Sequence, residues 1–153
     1  MSAEQRVKDL ALDLPPPPKA AGNYVPAVQV GSLLFVSGCG PQRADGTYVA
    51  GKLGADMNVE QGYAAARVAG LAMLARLRLV LGSLDRVARV VKVLGMVNAA
   101  PDFAEQPKVI NGFSDLMVEV FGEAGRGARA AVGMAALSGR MAVEIEMVVE
   151  LRP

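Results

Sequence analysis

Two apolar runs on either side of Ser138-Gly139 occupy the C-terminal stretch GARAAVGMAALSGRMAVEIEMVVEL, residues 127–151. Because a serine–glycine dipeptide suits a tight turn, the pattern predicts a β-hairpin. With a two-residue turn, one face would carry only apolar residues: Val143, Ile145, Met147 and Val149 with Ala130, Val132, Met134 and Ala136. The other face would carry Glu144, Glu146 and Glu150 with Arg129, Ala131 and Gly133. We expect helices on the apolar face. The charged face is either solvated or closely approached by a partner, for which its small side chains leave room.

Three further strands are predicted upstream of this stretch. Tyr24–Val30 and Leu33–Ser37 flank Gly31-Ser32 and read as a second hairpin. Val87–Val97 is a nearly continuous apolar run, which is typical of a strand covered on both faces. Residues 43–54 are expected to form a loop or an irregular edge strand.

The first 19 residues are predicted to form a separate N-terminal segment. Ser2–Leu14 has helical spacing of apolar residues, and Ser2 with Gln5 predicts a capping box. The proline run Pro15–Pro18 then ends the helix and holds the chain extended as a spacer. Residues 20–151 form the core, and we expect one domain over the whole chain of 153 residues.

Two longer helices complete the predicted elements. Asn58 is expected to cap a helix over Val59–Leu81, and Gly82 to end it. A second helix is predicted over Pro107–Phe121, with Gly122 as its end. The order helix, strand, strand, helix, strand, helix, strand, strand predicts an α+β fold, in which the two main helices pack on one face of a mixed sheet.

The composition indicates an oligomer. Hydrophobic residues make up 52% of the chain, yet no apolar run reaches the ~18 residues of a membrane span. Burial against further copies of the chain would account for this high hydrophobic content, and we expect Arg129 to lie near the interface between subunits. The net charge of +1, without a basic block, argues against a nucleic acid partner. The charged start does not resemble a signal peptide, so we expect the cytoplasm.

The chain contains no histidine. This excludes serine–histidine and cysteine–histidine nucleophiles and any histidine-ligated metal site. Acid–base chemistry must therefore use Glu, Asp, Lys, Tyr or Cys. The only cysteine, Cys39, has no basic neighbour in sequence to activate it and is expected to be a small buried hydrophobe. We expect no metal and no cofactor.

Two sequence strings resemble a known family. GNYVPAVQVGSLLFVSG near the start and GARAAVGMAALSGRMAVEIEMVVE near the end are similar to signatures of the Rid family. These are the reactive-intermediate imine/enamine deaminases, also called YjgF-type or endoribonuclease L-PSP proteins. The segment VKVLGMVNAAPDFAEQPKVINGFSDLMVEVFGEAG resembles a longer, less characterised branch of that family. The resemblance covers about residues 20–151 and implies a chorismate-mutase-like fold assembled as a homotrimer, with clefts between subunits.

The resemblance also implies a site for a small imino, enamino or keto acid. Arg129 would bind the substrate carboxylate, and Glu144 would position or protonate the attacking water. The cleft would be lined by Tyr24, Ser37 and Gly38, and by Ala131, which stands where the family commonly has cysteine. The implied activity is hydrolytic deamination. Arginine suits this role because its planar fork binds both carboxylate oxygens.

Two other functions are weighed against deamination. A non-catalytic protein that binds small carboxylates, in a regulatory role, would need the same Arg129. An endoribonuclease ranks lower because the chain has neither histidine nor a basic patch. In the hairpin described above, Arg129 and Glu144 would be ~13 Å apart along the strands. A site that uses both therefore needs a longer turn, a bulge near Gly133 or a neighbouring subunit. We favour a cleft whose walls come from two chains.

Overall fold

Five strands and three α-helices make up the protein, and the computed structural model describes residues 1–153. The strands are β1 Ala27–Val30, β2 Leu33–Cys39, β3 Val87–Asn98, β4 Ala128–Met134 and β5 Val143–Leu151. The helices are α1 Ala3–Asp9, α2 Val59–Leu81 and α3 Gln106–Phe121, with short 3-10 turns at Leu84–Arg86, Gly122–Gly125 and Ser138–Arg140. The predicted α+β class is confirmed.

All five strands form one mixed sheet in the order β1-β2-β5-β3-β4. The N-terminal hairpin is confirmed: Val30 pairs with Leu33 across the two-residue turn Gly31-Ser32. Strand β5 runs antiparallel to both of its neighbours, β2 and β3. Strand β4 pairs only with β3, in parallel, and forms an edge of the sheet.

The predicted C-terminal hairpin is wrong. Strands β4 and β5 do not pair, because β3 lies between them. Parallel strands need a crossover connection, and α3 supplies it between β3 and β4. Strand β4 therefore lies at the edge of the sheet beside β3, and β5 lies on the other side of β3, between β3 and β2. Residues 135–142, which include the Ser138–Arg140 turn, therefore carry the chain across β3 instead of folding it back on itself.

This pairing exchanges the two faces of β4 relative to the prediction. Val93 of β3 lies opposite Arg129 and also opposite Met147, so Arg129 is on the helix-covered face. Met96 lies opposite both Val132 and Glu144, which share the open face. The predicted buried side of β5 is confirmed, since Val143, Ile145, Met147 and Val149 are all buried. The predicted sides of β4 are reversed: Ala130 and Val132 lie with the glutamates, whereas Arg129, Ala131 and Gly133 face the helices.

Local signals fix the long helix α2 at both ends. The Asn58 side chain accepts a hydrogen bond from the Gln61 N–H, and the Gln61 side chain accepts one from the Asn58 N–H, each 2.9 Å long. Gly82 ends the helix in a left-handed conformation. Helices α2 and α3 pack closely at Gly112, which has no Cβ. A Cβ at this position would overlap the Tyr63 carbonyl oxygen. Together they cover one face of the sheet.

The N-terminal helix is shorter than predicted. The Ser2 hydroxyl accepts a hydrogen bond from the Gln5 N–H, but the Gln5 side chain donates to Asp9 and does not complete a capping box. The helix ends at Asp9 rather than at Leu14, and Ala11 has a positive φ. Among the helices of the structure, none has the length and apolar character that a membrane crossing requires.

Candidate functional site

Three of the predicted site residues line one cavity at the end of β2. Tyr24, Gly38 and Glu144 border a space of about 170 Å³. The other residues lining it are Pro18, Lys19, Ala21, Gly40, Tyr48, Arg76, Ser138, Gly139 and Met141. The cavity therefore combines segments from the proline run, the end of β2, helix α2 and the start of β5.

A bulge in β2 shapes this cavity. Val36 pairs with Met147 and Cys39 with Ile145, so Ser37 and Gly38 oppose a single residue of β5. The Glu144 carboxylate packs against the bulge: a Cβ at Gly38 would lie 2.8 Å from Glu144 Oε1. A side chain at position 38 would therefore push the Glu144 carboxylate away from the bulge.

Ser37 and Tyr24 are held by backbone groups of the segment before β1. The Ser37 hydroxyl donates to the Val25 carbonyl over 2.7 Å. The Tyr24 hydroxyl accepts from the Ala21 N–H over 3.2 Å. Ser37 thus adjoins the cavity without lining it, and its side chain helps to fix the segment that carries Tyr24.

Arg129 lies apart from this cavity, on edge strand β4. Its Nη1 donates to Asn111 Oδ1 over 2.9 Å and to Ser114 Oγ over 3.1 Å, and its Nη2 reaches the Pro107 carbonyl over 3.5 Å. These acceptors belong to α3 and its first turn. No carboxylate forms an ion pair with Arg129. The guanidinium is therefore positioned by neutral groups and has no anionic partner within the chain.

Ala131 follows Arg129 on the same face of β4 and does not reach the cavity either. It pairs with Gly95 and packs partly buried against the core. Within one chain, the structure brings together Tyr24, Gly38 and Glu144, with Ser37 adjoining. It leaves Arg129 and Ala131 on another strand and the opposite face of the sheet.

Arg76 is a site residue that the sequence analysis missed. It is 2% exposed in the middle of α2, and its Nη1 donates to the carbonyls of Ser37 over 2.7 Å and Gly38 over 3.0 Å. The available signal was a charged residue three positions after Met73, within the apolar stripe of the helix.

Cys39 is buried beside the cavity, as the sequence predicted. Burial raises the pKa of its thiol to about 11, although the positive charge of Arg76 opposes the shift. The thiol is therefore protonated at neutral pH and is a poor nucleophile. No three Cys, Asp or Glu side chains converge closely enough to hold a metal ion.

Comparison with known proteins identifies the class to which this fold and site belong. Residues 4–144 match the family described as "YjgF/chorismate mutase-like, putative endoribonuclease". Because the match spans most of the chain, the protein belongs to this family. The chorismate-mutase-like fold and the resemblance to Rid proteins are thereby confirmed.

Three relatives are similar over most of their length. Protein TCP17 of Trypanosoma cruzi is 47% identical over 143 residues, which cover 93% of this chain and 89% of TCP17. The crystal structure of Atu1372 from Agrobacterium tumefaciens is 42% identical, with a TM-score of 0.88 over 97% of this chain and 91% of that one. A "putative endoribonuclease" from Shewanella oneidensis MR-1 is 36% identical, with a TM-score of 0.94 over 99% of this chain and 100% of that one.

A RidA structure is more distant. RidA from an Antarctic Psychrobacter is 26% identical, with a TM-score of 0.63 over 88% of this chain and 94% of that one. The TM-scores thus relate this chain more closely to the Agrobacterium and Shewanella proteins than to this RidA.

Proposed function

We propose that this protein is a hydrolytic deaminase of reactive imines and enamines that carry a carboxylate, acting in clefts between the subunits of a homotrimer. The observation that carries the proposal is the cavity that holds Glu144 beside Gly38 and Tyr24. None of the five ion pairs of the structure includes the Glu144 carboxylate. Arg129 supports it as a positioned guanidinium that lacks an anionic partner.

The residues present suit imine hydrolysis. A protonated imine carbon is already electrophilic, so the reaction needs no protein nucleophile, in keeping with the protonated Cys39 thiol. An enamine first takes a proton on carbon and becomes the imine. Water then adds to the C=N carbon, Glu144 carries its proton to nitrogen, and the C–N bond breaks to release ammonia and a 2-oxo acid. Arg129 would hold the carboxylate by two parallel hydrogen bonds.

A subunit boundary is the arrangement that would bring Arg129 to Glu144. The open face of the sheet exposes several large apolar side chains, including Val28, Val30 and Phe35. An apolar patch next to a cavity of about 410 Å³ between Phe35, Leu94 and Glu146 is typical of an association surface. Strand β4 also has an unpaired edge, which a neighbouring chain would cover.

The test is release of ammonia from freshly generated 2-iminobutyrate or 2-iminopropionate, above the rate of spontaneous hydrolysis. We expect Arg129→Ala and Glu144→Gln each to lower kcat/KM by about 10²–10³-fold. Arg86→Ala is the matched control, since Arg86 is exposed at the Leu84–Arg86 turn and lines neither the cavity of Arg129 nor that of Glu144. Binding of 2-oxobutyrate without any acceleration of ammonia release would instead support a non-catalytic carboxylate-binding protein.

RNA cleavage is the alternative suggested by the names of the family and of the Shewanella relative. Cleavage through a 2′-hydroxyl needs a general base and a general acid, and this chain offers no histidine and a net charge of only +1. We expect no RNA cleavage beyond that of an Arg129→Ala preparation purified in the same way. Activity present in the wild type and lost in that variant would favour the ribonuclease.

A further inference from the structure

Arg76 is a buried cation without an anionic partner. It is 2% exposed, and none of the five ion pairs of the structure includes it. Glu144 lines the same cavity but forms no ion pair with it. Buried charges in proteins are normally paired, because an unpaired charge loses the solvation of water without compensation.

Most of the hydrogen-bonding capacity of Arg76 is unused. A guanidinium has five N–H donors, and the two bonds to Ser37 and Gly38 both come from Nη1. Nε is buried without an acceptor, and Nη2 makes no hydrogen bond within the chain. Nε and Nη2 together form the edge with which arginine binds both oxygens of a carboxylate.

The bulge in β2 explains why one nitrogen suffices to brace the strand. In a regular strand successive carbonyls point in opposite directions, whereas the bulge turns those of Ser37 and Gly38 toward the same Nη1. A purely structural role is fulfilled by these two bonds. It leaves the Nε–Nη2 edge of Arg76 unexplained.

The cavity that Arg76 lines has the charge to accept an acidic group. Lys19 and Arg76 contribute two positive charges and Glu144 one negative charge to its lining. Tyr24 and Tyr48 add apolar walls with hydroxyl groups. A carboxylate on Arg76 would lie in the same cavity as Glu144, beside the imine carbon on which Glu144 is proposed to act.

We propose that the Nε–Nη2 edge of Arg76 binds an acidic group on the substrate's side chain, so that the preferred substrate is the imine of a dicarboxylic 2-oxo acid. The inference rests on the proposed deaminase function, because Arg129 of a neighbouring subunit is assigned to the carboxylate next to the imine. Arg76 is then a specificity-determining residue. Water adds and ammonia leaves as described above, and the second acidic group takes no part in bond changes.

The first experiment compares imines generated in place from glutamate and from 2-aminobutyrate by amino-acid oxidases. We expect the wild type to favour the dicarboxylic imine by at least tenfold in kcat/KM. Arg76→Met should abolish this preference, measured as the ratio of kcat/KM for the two imines, while Arg76→Lys should keep part of it. Arg67→Met is the control, because Arg67 lies on α2 but is bonded to Glu119 at the surface. Equal kcat/KM values for both imines in the wild type would overturn the proposal.

The second experiment measures binding of the products, 2-oxoglutarate and 2-oxobutyrate, by calorimetry on the full chain. Tighter binding of 2-oxoglutarate that is lost in Arg76→Met supports the site even if neither imine is deaminated, in which case only the deaminase function fails. Equal binding of both acids by the wild type overturns the role of Arg76 whatever the activity. If Arg76→Met does not fold, Arg76→Lys replaces it, because lysine keeps the buried cation but lacks the two-donor edge, and the preference for 2-oxoglutarate should then fall.

Discussion

Arg129 and Glu144 point to opposite faces of the same sheet. Met147 lies across β3 from Arg129, and Glu144 is three residues further along β5. Two strand spacings and three residues separate the backbone positions by about 14 Å. The two side chains cannot serve one small substrate within a single chain. If both act on it, they must come from different chains, and exchange of chains between variants reveals this.

Mixed oligomers test this pairing. Arg129→Ala and Glu144→Ala chains are each expected to be inactive alone. When they are combined in equal amounts and allowed to exchange, about a quarter of the interfacial clefts regain both residues and another quarter lose both. We therefore expect recovery of up to about a quarter of wild-type ammonia release. Absence of recovery in verified mixed oligomers would place both residues in one chain.

Phe35 on the open face is predicted to be central to assembly. It is 46% exposed in the single chain. Light scattering of the wild type should give three times the mass of one chain, which is 15.9 kDa. Phe35→Glu would bury a charge in the contact between subunits, so its mass should fall toward that of the single chain. Leu79→Glu, at a 64% exposed position on α2, is the control and should leave the mass unchanged. A wild type that remains a monomer at micromolar concentration would contradict the trimer.

Local sequence signals predicted the elements well. Asn58 and Gly82 bound α2 as expected, and Gly122 ends α3. The turn at Gly31-Ser32 was found because its two strands pair directly. Caps and short turns depend on neighbouring residues, and a single sequence contains that information.

Long-range pairing was not predictable in the same way. The C-terminal runs were paired with each other, although β3 separates them. Because side chains alternate with a period of two, this error placed Arg129 on the wrong face. Arg76 was missed for a related reason: its acceptors are carbonyls turned by a bulge in β2, 38 and 39 residues away in the chain. The other candidate site residues were identified from the resemblance of short motifs.

The buried thiol of Cys39 should be inert. With its pKa raised to about 11 by burial, about one thiol in 10³ is ionised at pH 8. We expect a disulfide reagent to react with native protein far more slowly than with denatured protein, and the native rate to rise with pH up to about 11. Cys39→Ala should keep deaminase activity within a few-fold. Rapid labelling at pH 8 with loss of activity would contradict this.

Glu4 should make the N-terminal helix sensitive to acid. Burial alone would raise the pKa of this carboxyl, but hydrogen bonds from Arg78 and the Leu84 N–H and the charge of Arg78 lower it overall. Because the pKa of Glu4 is lower in the folded protein than in the unfolded chain, the ionised carboxylate stabilises the fold at pH values above the unfolded-state pKa, near 4.5. This stabilisation is lost as the pH falls through the pKa of the folded state.

The Glu4→Gln variant isolates this effect. We expect it to lower the free energy of unfolding by about 1 kcal/mol at pH 7 and by less near pH 3. Denaturant titrations at both pH values give the comparison. Glu123→Gln, at an exposed pair with Arg126, should show no measurable change. A difference that persists unchanged at pH 3 would show that the Glu4 charge is not its cause.

Asn111 and Ser114 are predicted to position Arg129 for the substrate carboxylate. Both accept hydrogen bonds from its Nη1. Asn111→Ala should raise KM roughly tenfold with a smaller effect on kcat, because a mobile guanidinium binds the carboxylate less well before and during the reaction. Lys108→Ala is the control on the same helix, since Lys108 is exposed and paired only with Glu105.

Asn111→Asp separates positioning from a general effect on α3. Aspartate has the size of asparagine and keeps an oxygen that accepts the hydrogen bond from Arg129. The variant protein should therefore unfold at nearly the same temperature as the wild type. Its carboxylate, however, would pair with Arg129 and compete with the substrate. We therefore expect KM to rise more in Asn111→Asp than in Asn111→Ala, and the difference to narrow at high salt. If the aspartate variant instead matches the wild type, Arg129 does not bind the substrate carboxylate.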